Sequence, residues 1–254
     1  IPSRGAGSAH ARTPIVLVHG VGFGPETLEE LAGALATRAP VICFARRGYG
    51  NRGGLPPAAT VADHVEDVLG VLDEAGIERA VVAGMSGGAT VALALALSFP
   101  ERVAAAVAHE PAVGCVSPEL RSLVRGALIQ GGGGELLRAL AGPETWGHLS
   151  PDTVAALDAS AELVEADAAA FLAFEPRLAA ASGAARPPLV CSVGERSSPV
   201  RYTVADRLAA RTGAPIAIVP GCGHLPQLDA PAAFAELILE HVLVPITPER
   251  TGAL

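Results

Sequence analysis

A Gly-x-Ser-x-Gly turn between an apolar run and a helical run is the feature that most constrains the fold of this chain. The apolar run 81–83 leads into Gly84-Met85-Ser86-Gly87-Gly88, and an alanine- and leucine-rich stretch follows through Leu97. A side chain at either outer glycine would collide with neighbouring backbone in so tight a turn. The pattern therefore predicts a strand, a sharp turn and a helix, with Ser86 at the tip and the helix N-terminus directed at its oxygen.

Apolar runs alternate with amphipathic helical stretches along the rest of the chain, which predicts an α/β fold with a mostly parallel, doubly wound sheet. The runs are continuous in valine, isoleucine and alanine, as is typical of strands buried on both faces. The predicted strands are 14–19, 41–45, 80–83, 103–108, 188–193 and 215–219. The predicted helices are 25–38, 60–75, 86–99, 199–211 and 231–242.

One long stretch interrupts this alternation. Residues 112–187 have helical periodicity without a convincing strand, and glycine and proline breaks occur at 131–134 and 142–143. We interpret the stretch as an inserted helical lid of three or four helices. The core would then consist of residues 1–111 and 188–254, and a chain of 254 residues is long enough for one such domain with its insertion.

Composition excludes several classes of partner. The formal net charge of −8 argues against a nucleic-acid-binding surface. The longest apolar run, 89–99, is too short to cross a membrane, so we expect no membrane association. The four cysteines are far apart in sequence, without metal-ligand spacing, and the N-terminus lacks the apolar core of a signal peptide. We therefore predict free thiols and a cytoplasmic location.

A serine hydroxyl becomes an effective nucleophile when a neighbouring base takes its proton. His224 is the best placed of the seven histidines, because its loop follows the last strand and ends at the same sheet edge as Ser86. The alternative is a turn histidine that caps the last helix. Glycines around Val21, after the first strand, allow its N–H to join that of Gly87 in an oxyanion hole, while His19 is expected to hold that loop.

These motifs resemble those of the α/β-hydrolase superfamily over nearly all of the chain outside the lid. They are His19-Gly20 after a strand, Arg46-Arg47-Gly48-Tyr49-Gly50 after the next, the Gly84–Gly88 turn, and Gly221-Cys222-Gly223-His224 near the end. The resemblance implies that Ser86 is the nucleophile and His224 the base. It also implies that the N–H groups of Val21 and Gly87 bind the oxyanion, and no metal ion or cofactor is expected.

The third member of the triad departs from the superfamily pattern. Relatives usually carry an aspartate in the loop after the strand 188–193, where this chain has Ser197, and a neutral serine cannot stabilise an imidazolium. We favour Glu110 as the substitute, because some branches, including certain haloalkane dehalogenases, place the acid at the corresponding strand end. Glu195 is the alternative acid, and Glu110 would then only anchor the lid.

Other residues support less specific interpretations. In the lid, Trp146 and Phe174 are the expected substrate-binding residues, although aromatic side chains at helical spacing also serve simply as packing. Arg46 and Arg47 would contact an acidic substrate or form structural salt bridges, and the second is favoured. His109 either faces the pocket or is structural.

The function predicted from these residues is a cofactor-free serine hydrolase that cleaves a small, largely apolar ester, lactone or thioester through an acyl-enzyme. One alternative is a non-hydrolytic or C–C-cleaving enzyme of this fold, such as a lyase, cyclase or haloperoxidase-like enzyme of a natural-product or catabolic pathway. Another is a ligand-binding protein on a hydrolase scaffold. The expected partner is a small-molecule substrate, and the sequence does not indicate an oligomeric state.

Overall fold

Within residues 13–50, 59–176 and 186–243, which the computed structural model describes, six parallel strands form one sheet in the order β2-β1-β3-β4-β5-β6. The strands are β1 (Ile15–Val18), β2 (Val41–Cys43), β3 (Ala80–Met85), β4 (Val103–His109), β5 (Leu189–Gly194) and β6 (Ile216–Val219). Each overlaps a predicted strand, and the doubly wound α/β fold is confirmed. β3 runs two residues further than predicted, directly into the turn at Ser86.

Helices cover both faces of the sheet. They are α1 (Glu29–Ala36), α2 (Val61–Glu74), α3 (Gly87–Ser98), α4 (Pro118–His148), α5 (Pro151–Ala159), α6 (Ala161–Ala173), α7 (Pro199–Thr212), α8 (Pro226–Asp229) and α9 (Pro231–Leu243). The core on one face contains residues of α1 and α9, while the core on the other contains α2, α3, α7 and the inserted helices. Pro25–Leu28, predicted as the start of the first helix, forms a 3₁₀ turn.

Burial differs between the inner and the edge strands. Every residue of β1 and β3 is buried, as their continuous apolar sequences predicted. The prediction of burial on both faces is wrong for the edge strands: Ile216 and Ile218 of β6 are 37% and 47% exposed. An edge strand has a partner on one side only, and here the helices do not fully cover it.

The insertion between β4 and β5 consists of α4, α5 and α6, and it lies within the predicted range 112–187. Residues 177–185 of that range lie outside the described residues. The long helix α4 bends at Gly131 and Gly132 and again at Gly142, where the backbone leaves helical geometry at the predicted breaks. Although α4 has 31 residues, neither it nor any other helix in the described ranges is long and apolar enough to cross a membrane.

The connections of β1 and β3 create a crevice at the carboxyl edge of the sheet. From β1 the chain moves outward to β2, whereas from β3 it moves in the opposite direction to β4. Such a reversal of strand order is where open α/β sheets bind ligands. The register pairs Met85 with His109 and His109 with Ser192, so the residues that follow β3, β4 and β5 end side by side.

Candidate active site

The turn at Ser86 depends on its two outer glycines. A Cβ atom on Gly84 would lie 2.2 Å from the carbonyl oxygen of Gly88, and one on Gly88 would lie 2.0 Å from that of Val18. Both distances are far inside van der Waals contact, so only glycine fits at either position. Ser86 itself has a positive φ of 52° and is 4% exposed. Because Ser86 immediately precedes α3, its side chain lies at the N-terminus of that helix.

The loop after β1 lies against this turn. A Cβ atom on Gly20 would lie 3.4 Å from Cβ of Ser86, and one on Gly87 would lie 3.0 Å from Cγ2 of Val21. The structure therefore brings Val21 and Gly87, the two expected oxyanion donors, together beside Ser86. Because Gly87 is the first residue of α3, its N–H has no partner within the helix.

Glu110 reaches His224 from the end of β4. Its Oε2 atom lies 2.6 Å from Nδ1 of His224, and both side chains are buried. The other ring nitrogen of His224, Nε2, is buried without a hydrogen-bond partner in the described part of the chain. With Nδ1 donating its proton to the carboxylate, Nε2 is left as the acceptor that a general base requires.

Backbone strain is concentrated at the two residues assigned to nucleophile and acid. Ser86 and Glu110 are the only non-glycine residues with positive φ within the described ranges, at 52° and 48°. Such conformations cost about 1–3 kcal/mol each and persist where the surrounding structure holds them, often at functional sites. At Glu110 the strained residue immediately follows β4.

The remaining contacts of Glu110 explain what Ser197 does in place of the usual aspartate. The Oε1 atom of Glu110 accepts a hydrogen bond from the N–H of Gly194 at 2.9 Å and another from the hydroxyl of Ser197. On the other oxygen, Nε of Arg201 lies 3.6 Å from Oε2. The serine that occupies the usual acid position therefore orients the glutamate that reaches His224.

Electrostatics keep Glu110 ionised and His224 neutral. Burial opposes the charge of Glu110, but the hydrogen bond with His224 and the nearby His109 and Arg201 outweigh it and hold its pKa well below the usual range. Burial, reinforced by the charge of Arg201, lowers the pKa of His224 despite the opposing effect of Glu110. A neutral imidazole beside a carboxylate is the state in which a histidine accepts a proton from serine.

Glu195, the alternative acid, and His109 have environments different from that of Glu110. Glu195 is exposed, and its carboxylate accepts a hydrogen bond from the N–H of Gly221 at 2.9 Å. His109 is fully buried beside Glu110, and its Nδ1 lies 3.1 Å from the hydroxyl of Ser192. Burial lowers the pKa of His109 to about 4, so the ring is neutral.

Arg46 forms a buried link between the lid and the loop after β1. Its guanidinium pairs with Asp167 of α6 at 2.8 Å and donates to the carbonyl oxygens of Gly20 at 2.9 Å and His19 at 3.1 Å. Both Arg46 and Asp167 are at most 2% exposed. The ring of His19 accepts the backbone N–H of Arg46 at 3.0 Å, so His19 lies in the structure of this loop, as expected.

Tyr49 extends the same network. Its hydroxyl donates to Asp167 at 2.9 Å and accepts the N–H of Gly22 at 2.8 Å. Arg47 instead pairs with Asp67 and Asp63 on α2. Neither arginine of the motif is therefore available for an acidic substrate, and of the two interpretations the structure favours salt bridges. Asp167 was not predicted from the sequence, because nothing local to it points to a partner 121 positions away.

Replacing Asp167 with alanine is expected to lower the free energy of unfolding by about 3–5 kcal/mol, because Arg46 would keep a buried charge without its partner. The matched control is Asp158→Ala, which breaks an exposed Asp–Arg pair of the same lid, Arg138 with Asp158 at 3.0 Å, and should cost about 1 kcal/mol or less. Urea unfolding monitored by circular dichroism measures both. Equal losses in the two variants would contradict the importance of the buried link.

Two cavities meet at the candidate triad. The smaller one, about 30 Å³, lies at Ser86 and is lined by Val21, Leu120, Leu136, Phe171, Leu172 and Arg201 among others. This volume has room for about two water molecules but not for an ester, so an ester at Ser86 requires a wider separation of lid and core. The larger one, about 520 Å³, is lined by Glu110 and His224 on the core side and by residues of α4 on the lid side. Its volume is in the range of ligand pockets.

Trp146 and Phe174, the expected substrate-binding residues, line neither of these two cavities. Trp146 stacks with the guanidinium of Arg138 at 4.9 Å, and Phe174 packs against the core as a partly buried side chain. Phe171, which is 1% exposed, takes the expected place beside Ser86. The reason is local: α6 ends at Ala173, so the chain turns before Phe174 can continue the helical face.

Comparison with known proteins agrees with this fold. The sequence matches the alpha/beta hydrolase family over residues 15–237, and the chain belongs to that family.

Individual curated relatives match only part of the chain. A protein of Mycobacterium phage D29, named "putative non-heme haloperoxidase", is 35% identical over 111 residues, which are 43% of this chain and 40% of that protein. The chain spans less than half the length of the curated relatives it matches.

Two solved structures share the fold over most of their length. A hydrolase from Pseudomonas aeruginosa PA01 has a TM-score of 0.73 at 22% identity, with 93% of this chain and 92% of that chain covered. The enol-lactonase from Burkholderia xenovorans LB400 also has a TM-score of 0.73, at 19% identity and 92% coverage of each chain. At these identities the likeness concerns the fold alone.

Proposed function

We propose that this protein is a serine hydrolase that cleaves esters, lactones or thioesters through an acyl-enzyme, without a cofactor. The observation that carries the proposal is the 2.6 Å contact of Glu110 with Nδ1 of His224, with Nε2 left unpartnered, in the same crevice as the strained Ser86. A carboxylate, a neutral imidazole and a serine at a helix N-terminus are the groups that acyl transfer requires.

In the first half of the reaction, Oγ of Ser86 attacks the substrate carbonyl while Nε2 of His224 takes the hydroxyl proton. The N–H groups of Val21 and Gly87 stabilise the resulting oxyanion. When the tetrahedral intermediate collapses, His224 donates its proton to the leaving alcohol or thiol and an acyl-Ser86 ester remains.

In the second half, His224 takes a proton from water, which attacks the acyl ester. The second tetrahedral intermediate releases the carboxylic acid and returns the proton to Ser86. Glu110 remains ionised throughout and stabilises the imidazolium that forms in each half. The large favourable interactions that hold its pKa low support that role.

A second candidate is haloperoxidase-like or C–C-cleaving chemistry at the same residues. The relative named as a haloperoxidase favours the haloperoxidase-like chemistry. Both candidates use the Ser86 site, so the distinction requires assay of the reactions themselves.

The proposal predicts covalent labelling of Ser86 by a fluorophosphonate, measured by intact mass. The wild type should gain one adduct, and Ser86→Ala should gain none. Ser122→Ala is the matched control, because Ser122 lies on α4 and lines the larger cavity but not the one at Ser86, and it should label like the wild type. A panel of esters, lactones and thioesters should then show turnover. A folded wild type that neither labels nor cleaves any of them contradicts the proposal.

A further inference from the structure

Arg201 is a buried charge that faces the candidate reaction centre. It lies in the first turn of α7, is 6% exposed and lines both cavities described above. All other residues that line the smaller cavity, apart from Ser86, are apolar. Among the described residues that line the space next to Ser86, Arg201 is therefore the only one with a charged side chain.

The guanidinium of Arg201 has hydrogen-bond donors that the protein does not use. Its contact with Glu110, 3.6 Å between Nε and Oε2, is an ion pair beyond hydrogen-bond length. The oxygens of Glu110 already accept hydrogen bonds from His224, Gly194 and Ser197. Among the described residues no other partner of the Arg201 guanidinium is found. Because Arg201 lines both cavities, an acceptor on a bound ligand can reach these free N–H groups.

Other arginines near the site have their charges matched within the protein. Arg46 is held by Asp167, and Arg196, at the larger cavity, pairs with Glu144. Arg201 instead shares its ion-pair partner, Glu110, with His224. An arginine fork with free donors is suited to bidentate binding of a carboxylate.

We propose that Arg201 binds a carboxylate on the substrate, so that the enzyme acts on esters or lactones whose apolar body carries a free acid group. This inference rests on the proposed serine-hydrolase function and names its substrate class. When lid and core separate to admit the ester, the apolar side chains around Ser86 would contact its hydrocarbon part, while Arg201, which lines both cavities, would bind the anionic end. The prediction of a largely apolar substrate is thereby narrowed to an apolar chain with one charged group.

Arg201 also acts on the triad, and the test has to separate the two effects. Its charge lowers the pKa of both Glu110 and His224. A residue that only positions or polarises the triad affects every substrate alike, whereas a carboxylate-binding residue affects anionic substrates selectively. The informative quantity is therefore the ratio of kcat/KM for an anionic and a neutral ester of the same chain length.

The experiment compares mono-p-nitrophenyl adipate with p-nitrophenyl hexanoate, with rates corrected for uncatalysed hydrolysis. Wild type should prefer the adipate, and Arg201→Gln should reduce the preference by about 10- to 100-fold, chiefly through KM, as expected for loss of a charge-assisted hydrogen bond. Arg201→Lys should retain part of it. The matched control is Arg207→Gln on the same helix: this arginine pairs with Glu119 at the surface, so its loss should leave the ratio unchanged.

Several results would overturn the inference. They are a wild type without preference for the adipate, an Arg201→Gln variant in which both esters lose activity equally, and an Arg207→Gln variant with the same selective loss.

If neither ester is cleaved, protection of Ser86 from fluorophosphonate by monomethyl adipate, compared with dimethyl adipate, provides the same comparison. Equal protection by both refutes the anion site. Absence of labelling altogether instead refutes the proposed function on which the inference rests.

Discussion

Replacing Ser86 with alanine is expected to reduce kcat for ester hydrolysis by about 10⁶-fold, to the level left by substrate binding and the oxyanion donors. The physical reason is that the acyl-enzyme route needs an oxygen nucleophile at the tip of the turn, and no neighbouring group can replace it. Fold and stability should be preserved, because the alanine removes one polar atom at a 4% exposed position and keeps the Cβ that the backbone already accommodates.

His224→Gln should produce a loss of similar size, and the double variant should be no worse than either single one. Nucleophile and base act as a unit, so their effects are not additive. The measurement is steady-state hydrolysis of an activated ester by all three variants. The control is His148→Gln, which removes an exposed lid histidine and should retain wild-type kcat. If the Ser86→Ala variant retains about 1% of the activity or more, Ser86 is not the nucleophile.

The second large effect is expected at Glu110. Glu110→Gln should lower kcat by about 10⁴-fold, because a neutral amide holds the ring of His224 without stabilising the imidazolium, and it favours the wrong tautomer. Glu195→Gln is the matched control: this alternative acid is exposed and binds Gly221, so the variant should remain within about threefold of the wild type. The opposite ranking of the two variants would assign the acid to Glu195.

Two further measurements distinguish loss of the acid from loss of structure. First, Ser197→Asp in the Glu110→Gln background should recover part of the activity, because Ser197 already lies beside the Glu110 carboxylate at the position where relatives carry aspartate. Second, kcat/KM of the wild type should decrease as the pH falls and His224 becomes protonated. The midpoint of this decrease should lie below pH 6.5, because burial lowers the pKa of His224.

In Glu110→Gln the raising effect of the carboxylate is lost, so this midpoint should shift to still lower pH as the plateau drops. An unchanged midpoint would contradict an electrostatic role for Glu110. A profile of kcat/KM from about pH 4 to about pH 9 measures both effects.

Much of the site could be predicted because its motifs are local. The Gly84–Gly88 turn is readable from five residues, although only one of its two outer glycines is required by the turn itself. A Cβ atom on Gly84 would collide with Gly88, whereas one on Gly88 would collide with Val18 of β1. Chain order alone places Ser86 and His224 at the same edge of a parallel sheet. The resemblance to branches that place the acid at the corresponding strand end also favoured Glu110 over Glu195, and the structure brings Glu110 to His224.

The sequence did not predict the contacts that depend on how the lid packs. Nothing local to Asp167 indicates that it pairs with Arg46. Phe174 does not line the cavity at Ser86, because α6 ends at Ala173, one residue before it. The orientation of Arg201 toward Ser86 likewise depends on the relative positions of α7, β4 and the lid.

The sequence by itself thus determined the order of strands and helices, the strained serine turn and the edge of the sheet where the reacting groups meet. These follow from steric and hydrophobic rules that act over a few residues. Only the tertiary structure decided which carboxylate reaches His224, which arginine is left with free donors and which lid side chains cover Ser86. Those outcomes depend on distances between segments more than 80 residues apart in sequence, such as Glu110 and Gly194, and short-range patterns do not encode them.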